Sequence, residues 1–144
     1  MPKELTRAEF RFYPDALFVL GVVAAAEHFG QRKNLDDAAV QALMRAANDA
    51  CHSTFKLLSG DTPTIGVVMV EFDDRIEMII EHQGEALPTA GLDTFLDAVS
   101  EEALPGELSG FMLMTLVDRV QYQTVAGTQR MTLVKNAPPA SSRE

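Results

Sequence analysis

At 144 residues, with 47% hydrophobic and 23% charged side chains, the chain has ordinary globular composition and the length of one domain with a buried core. Its formal net charge of −9 excludes the clustered Lys and Arg that phosphate binding needs, so nucleic acid and an anionic membrane surface are set aside as partners. Acidic character of this kind serves solubility and the choice of a basic protein partner.

One cysteine, Cys51, rules out an intramolecular disulfide and fits a reducing cytoplasm. The opening MPKELTR has no apolar signal core, and the apolar run 16–26 falls short of the roughly 20 residues that cross a bilayer. The expected protein is cytoplasmic, with one domain over 1–136 and a disordered Pro- and Ser-rich tail at 137–144.

Residues 5–12 alternate, with Ala8, Phe10 and Phe12 on one face and Arg7, Glu9 and Arg11 on the other. That is a half-buried edge strand. Pro14 and Asp15 open a helix that runs through ALFVLGVVAAAEHF and stops at Gly30. It is apolar nearly all round, which predicts a sandwiched position, with His28 in its last turn as a structural cation.

Asn34 is a plausible N-cap for the next helix, AVQALMRAANDACHSTFKLL, which closes at Ser59 and Gly60. At roughly 100° per residue, Val40, Leu43, Met44, Ala47, Cys51, Thr54, Phe55 and Leu58 share one side. Asn48 and His52 stack on the rim of that stripe. Cys51 lies inside it and reads as a buried small hydrophobe. Its neighbour His52 points about 100° away on a helix, so the pair is no catalytic dyad.

Two strands follow, TIGVVMVEF and RIEMIIEH, turned at Asp73 and Asp74. Period two puts Ile76, Met78, Ile80 and His82 on one face. Loops at 85–91 and 101–109 flank a short helix at 92–99, an arrangement expected of a mobile cover. An apolar helix at 110–117 leads to a closing hairpin, 119–125 and 129–135, around Ala126 and Gly127. Strand pairs joined by hairpins, with helices between them, predict an α+β fold. The expected form is a two-layer sandwich, an antiparallel or mixed sheet with helices on one face.

The stretch GFMLMTLVDRVQYQTVAGTQRMTLVK carries a pattern: Leu116, Asp118, Val120 and Tyr122, then Gly127, Thr128, Leu133, Val134 and Lys135. With the N-terminal strand, the apolar helix and AVQALMRAANDACHS, it resembles the small bacterial histidine-kinase-like ATPase domain. That family contains the anti-sigma-factor serine kinases of partner-switching pathways. The resemblance covers nearly the whole chain. It implies the ATPase fold, a homodimer, and a protein partner such as a sigma factor or an anti-sigma antagonist.

The family's ATP and Mg²⁺ site pairs a helical Glu and Asn with a strand ending Asp-x-Gly-x-Gly. Carried over by spacing, Asn48 stands at the Glu position, His52 at the Asn, His82 at the Asp, Gly84 at the first Gly and Ala86 at the second. Gly106 and Gly110 fall in the phosphate-facing stretch, and Thr128 near the adenine.

Each exchange has a chemical consequence. An amide at Asn48 cannot take a proton as the family Glu does, so no catalytic residue is assigned. Imidazole at His52 is a poor Mg²⁺ ligand and suits zinc better. A neutral His82 offers one acceptor nitrogen and no charge to an adenine amino group.

The implied function is a partner-switching regulator of transcription or stress response that binds protein with ATP use impaired or absent. The alternative is an active Mg-ATP-dependent serine/threonine kinase that phosphorylates an antagonist protein. A third reading groups His52, His82 and Asp49 as a metal site.

Overall fold

The alternation in the first strand is realised over Glu4–Phe12, here β1, which ends on buried Phe12. The computed structural model describes residues 3–58, 63–83, 113 and 115–137. The expected helix at 92–99, its flanking loops, most of the helix at 110–117 and the tail beyond 137 lie outside them.

Helix α1 spans Ala16–Arg32, and the Asp15 carboxylate caps it by accepting from the Leu17 amide at 2.8 Å. Helix α2 spans Asp37–Phe55. Its N-cap is Asp36, whose carboxylate accepts from Ala39 N at 2.8 Å.

That cap corrects the assignment of Asn34. Asn34 takes φ 57° in the turn that closes α1, a left-handed conformation asparagine tolerates better than most residues. Around it the Leu35 amide donates to the Gly30 carbonyl at 3.1 Å, and the Asn34 amide to Gln31 at 3.0 Å. Gly30 therefore does not stop α1. It is buried within the helix, and a Cβ there would stand 3.1 Å from Val40 Cγ2 of α2. The missing side chain sets how closely the two helices approach. Because α1 continues to Arg32, His28 is exposed and short of the last turn, packed edge-on against Phe29. Arg32 takes the C-terminal cation position instead.

Of the expected stripe on α2, Val40, Leu43, Ala47, Cys51 and Thr54 are buried, Met44 and Phe55 are half-buried, and Leu58 falls beyond the helix; Ala46 and Ala50 are buried as well. The helix ends at Phe55, earlier than the expected Ser59 and Gly60, which lie outside the described residues. Its end tightens into a shorter turn, with the Leu57 amide donating to Thr54 O at 2.9 Å.

Strands β2 (Ile65–Phe72) and β3 (Arg75–Gln83) form a hairpin whose register leaves Asp73 and Asp74 in the turn. Strands β4 (Arg119–Val125) and β5 (Thr128–Asn136) form the second hairpin. Ala126 at φ 52° and Gly127 at φ 82° make its two-residue turn. Both dihedrals positive is the geometry that matches strand twist in a tight hairpin.

The five strands form one sheet in the order β1-β2-β3-β5-β4, with every pair antiparallel. The return of β5 to the side of β3 leaves β4 at one edge and β1 at the other. Helix α1 packs over β1 and β2, and α2 over β2 and β3. This is the expected α+β two-layer sandwich.

Between the layers lie Val19, Val22 and Leu43 from the helices, and Ile65, Val67, Met69, Ile76, Met78, Ile80, Met131 and Leu133 from the sheet. Leu113 and Val117, joined by a helical hydrogen bond of 3.2 Å, close the core before β4. No helix among the described residues is long and apolar enough to cross a membrane.

One expectation fails outright. Helix α1 is not sandwiched: Leu17 and Leu20 are 66% and 62% exposed. The sheet and α2 cover only one side of it, and among the described residues nothing covers the apolar outer side at Leu17 and Leu20.

Candidate functional site

The apolar period of α2 fixes where its polar side chains emerge. Asn48 and His52, one turn apart, are half-buried at the margin of the interlayer core. The Asn48 amide donates to Asp49 Oδ1 at 3.3 Å, and Asp49 in turn pairs with Arg45 at 3.6 Å, one turn back. The His52 ring stands edge-on to Phe55 at 5.3 Å. Beneath them Cys51 is fully buried, and burial pushes its thiol up to about 12. Thr54 is also buried, its hydroxyl donating to the Ala50 carbonyl at 2.8 Å.

His82 comes from the sheet. The register sets it between Ile65 of β2 and Gln129 of β5, at the end of the inner row begun by Ile76. Its relative exposure of 3% makes it a polar ring within an apolar layer. Asn48 and His52 thus lie half-buried on α2, and His82 lies buried on the inner face of β3, a strand that α2 packs over.

Thr128 does not join them. It is opposite Gln83, the residue after His82, and so lies on the face of the sheet turned away from α1 and α2. There Gln83 Nε2 donates to its hydroxyl at 2.9 Å. Gly84, Gly106 and Gly110 lie outside the described residues. Among the described residues no three His, Cys, Asp or Glu side chains gather closely enough to hold a metal ion, so the trio His52, His82 and Asp49 is not assembled.

A second polar cluster escaped sequence reasoning. Glu71 occupies an inner-face position of β2, two residues after Met69, yet is only 4% exposed. Arg32 Nε donates to its Oε1 at 2.9 Å, and Lys33 Nζ lies 3.7 Å from its Oε2. Lys33 also donates to the Asp73 carbonyl at 3.0 Å, and an Arg32 amine reaches Thr6 Oγ1 at 3.4 Å. The signal was available: a lone carboxylate in the inward period of an apolar strand needs cations. Every polar atom named here has a partner within the fold, so the cluster reads as a clamp between α1 and the sheet.

Asp118, conspicuous in the C-terminal pattern, also has a local role. Its carboxylate accepts from the Asn136 amide at 2.6 Å, and its own amide donates to the Val134 carbonyl at 2.9 Å. It ties the start of β4 to the end of β5. Comparison with protein-family models finds no match to the chain, and comparison with curated proteins finds none.

Proposed function

We propose that this chain is a cytoplasmic partner-switching regulator, similar in plan to anti-sigma-factor kinases, that acts by binding a protein and not by transferring phosphate. The observation that carries this reading is the chemistry of the α2 rim. The position where phosphoryl transfer needs a proton acceptor holds the Asn48 amide. The adjacent carboxylate, Asp49, is engaged by that amide and by Arg45.

Mg-ATP is a poor match for the residues present. A hard cation needs oxygen ligands, and His52 supplies an imidazole packed against Phe55. His82, 3% exposed, is an imidazole where adenine recognition in the resembling family uses a carboxylate. A basic surface on a sigma factor or on an antagonist protein suits the net charge of −9.

The test is a melting scan with Mg-ATP, Mg-ADP and zinc, since a ligand at a hundredfold its Kd stabilises a fold by about 2.7 kcal/mol. No shift with either nucleotide, together with recovery of a sigma factor or antagonist from the native host, is the expected result. A shift with Mg-ATP followed by transfer of labelled phosphate to a co-purified protein overturns it in favour of the kinase.

A further inference from the structure

The two edges of the sheet are built differently. At the β1 edge Arg7 holds Glu4 at 2.6 Å and Glu9 at 3.3 Å, and the register to β2 breaks between Glu4 and Thr6. Charge and irregularity of this kind keep other chains from pairing with an edge. At the other edge, β4 has a single charge, Arg119 at its start, and 120–125 carries neither charge nor proline. Among the described residues no strand lies beyond β4, and Arg119, Gln121, Gln123, Thr124 and Val125 are exposed.

The turn fixes which backbone groups are open. A two-residue hairpin makes Val125 and Thr128 a hydrogen-bonded pair, so Val125, Gln123, Gln121 and Arg119 direct their N–H and C=O groups to β5. Val120, Tyr122 and Thr124 therefore turn theirs away from β5, to the open edge. The side chains of these three stand on the inner face, since Tyr122 is opposite Met131 of the core. Val120 and Tyr122 are half-buried against that core, while α1 and α2 lie over β1, β2 and β3. A strand added to β4 would set alternate side chains beside Val120 and Tyr122, and the others beside Arg119, Gln121 and Gln123.

We infer that β4 is a docking edge for an extended segment of another protein, apolar at alternate positions and carrying a carboxylate opposite Arg119. Charge calls for the carboxylate. Arg7, Arg75 and Arg130 of the sheet each hold one, and Arg11 meets the Thr64 hydroxyl. Arg119 is exposed and, among the described residues, pairs with none, on a chain with 21 acidic side chains against 12 basic.

Because its backbone is turned to β5, Arg119 faces an added strand in a non-hydrogen-bonded pair, where side chains stand closest. Antiparallel pairing is the more stable kind and sets the acid at the C-terminal end of the segment. A second copy of β4 does not meet this demand, because RVQYQTV has no acid. Strand addition takes its affinity from main-chain bonds and its selectivity from alternate side chains. The edge is distinct from the α2 rim, so the inference stands whether or not that rim takes nucleotide.

Selection of a phage-displayed random eight-residue library against the full chain tests this, followed by amide hydrogen exchange with the enriched peptides. In the free chain, the amides of Gln121, Gln123 and Val125 should exchange roughly tenfold more slowly than those of Val120, Tyr122 and Thr124. Enriched peptides should alternate apolar residues and end in an acid. At ten times its Kd a peptide should slow the three open amides about tenfold and leave the other three unchanged. Arg119→Glu should weaken binding about fivefold, and exchanging the peptide's acid for lysine should restore it. Thr124→Pro removes an outward amide and no backbone bond to β5, so it should abolish binding while the thermal midpoint moves by only a few degrees.

Protection of the three open amides already in the free chain overturns the inference, because the edge is then covered by the chain itself or by a second copy. A library that yields no binder tighter than about 100 µM overturns it too. So do binders that protect none of the three, or that are indifferent to Arg119→Glu.

Discussion

Arg32, in the last turn of α1, donates from Nε to Glu71 Oε1 on β2 at 2.9 Å, and only 5% of the Glu71 side chain is exposed. This contact joins the two layers at the end of the molecule where α1 turns into α2. The carboxylate has lost its water, so its two cations are what keep it tolerable in an apolar row.

The two sides of this clamp are unequal. Arg32 keeps 45% of its side chain in solvent and can recover hydration, whereas Glu71 cannot. Arg32→Ala should cost about 1–2 kcal/mol in urea unfolding, with Lys33 still facing the carboxylate. Glu71→Ala leaves a hole and removes the one carboxylate facing Lys33 among the described residues. The Lys33 side chain, 9% exposed, keeps only the Asp73 carbonyl, and the change should cost about 2–3 kcal/mol. Glu71→Met fills the space without a charge and should cost less than either. A larger loss for Arg32→Ala than for Glu71→Ala would show that the arginine acts through some other contact.

Two glycines of α1 make a paired prediction of opposite sign. At Gly21 a Cβ meets nothing within 4 Å, so Gly21→Ala gains the helix propensity difference of about 1 kcal/mol. At Gly30 the same propensity gain is opposed by a Cβ 3.1 Å from Val40 Cγ2, in a helix contact also lined by Leu35 and Leu43. Overpacking of this kind costs about 1–3 kcal/mol, so Gly30→Ala should be net destabilising. Thermal melts of the two variants decide it; a rise for both would mean that α1 and α2 can separate freely.

The contrast between those glycines also shows what was legible in the sequence. Period and alternation placed every described strand and both helices within a few residues, because burial on one face leaves a regular trace. Gly30 looked like a stop because a helix end and a close helix crossing both call for glycine, and local sequence does not separate them. Asn34 and Asp36 are both good caps; which one served depended on where α1 ended, a tertiary matter. The outer side of α1 was misjudged for a related reason, since an apolar sequence does not say which of its faces is covered. For the site, the phase of α2 put Asn48 and His52 half-buried on its flank, and the row of β3 put His82 on the inner face of the sheet. Thr128 was assigned by resemblance without counting strand register, and one residue of register is the difference between the two faces of the sheet.

The hairpin turn at Ala126 and Gly127 carries a correctable strain. Alanine at φ 52° pushes its Cβ toward the backbone, a cost of about 1–2 kcal/mol that glycine avoids and asparagine lessens. Ala126→Asn should therefore raise the unfolding free energy by about 1 kcal/mol. Gly127→Ala, at φ 82°, should lower it by a similar amount. The two changes leave β4 and β5 packing untouched, so equal urea m-values with shifted midpoints are the signature.

Cys51 links burial to alkaline stability. Desolvation raises its thiol from the ordinary 9.0 to about 12. Between those values the unfolded chain loses the proton and the folded chain keeps it, so the folded state binds more protons. Stability is then complete below pH 9.0 and declines as pH rises toward about 12. Tyr122, also raised from its ordinary 10.0 by desolvation, adds a decline of the same sign at higher pH.

Cys51→Ala removes the first of these and should flatten the stability curve between pH 9 and 10, leaving the Tyr122 part above it. At neutral pH the variant costs about 1 kcal/mol for the lost sulfur contacts. A maleimide should modify the wild-type thiol only as fast as the fold opens, since the buried thiol is neither exposed nor ionised. Rapid labelling of the native protein, or a Cys51→Ala curve as steep as wild type from pH 9 to 10, would place that sulfur in contact with solvent.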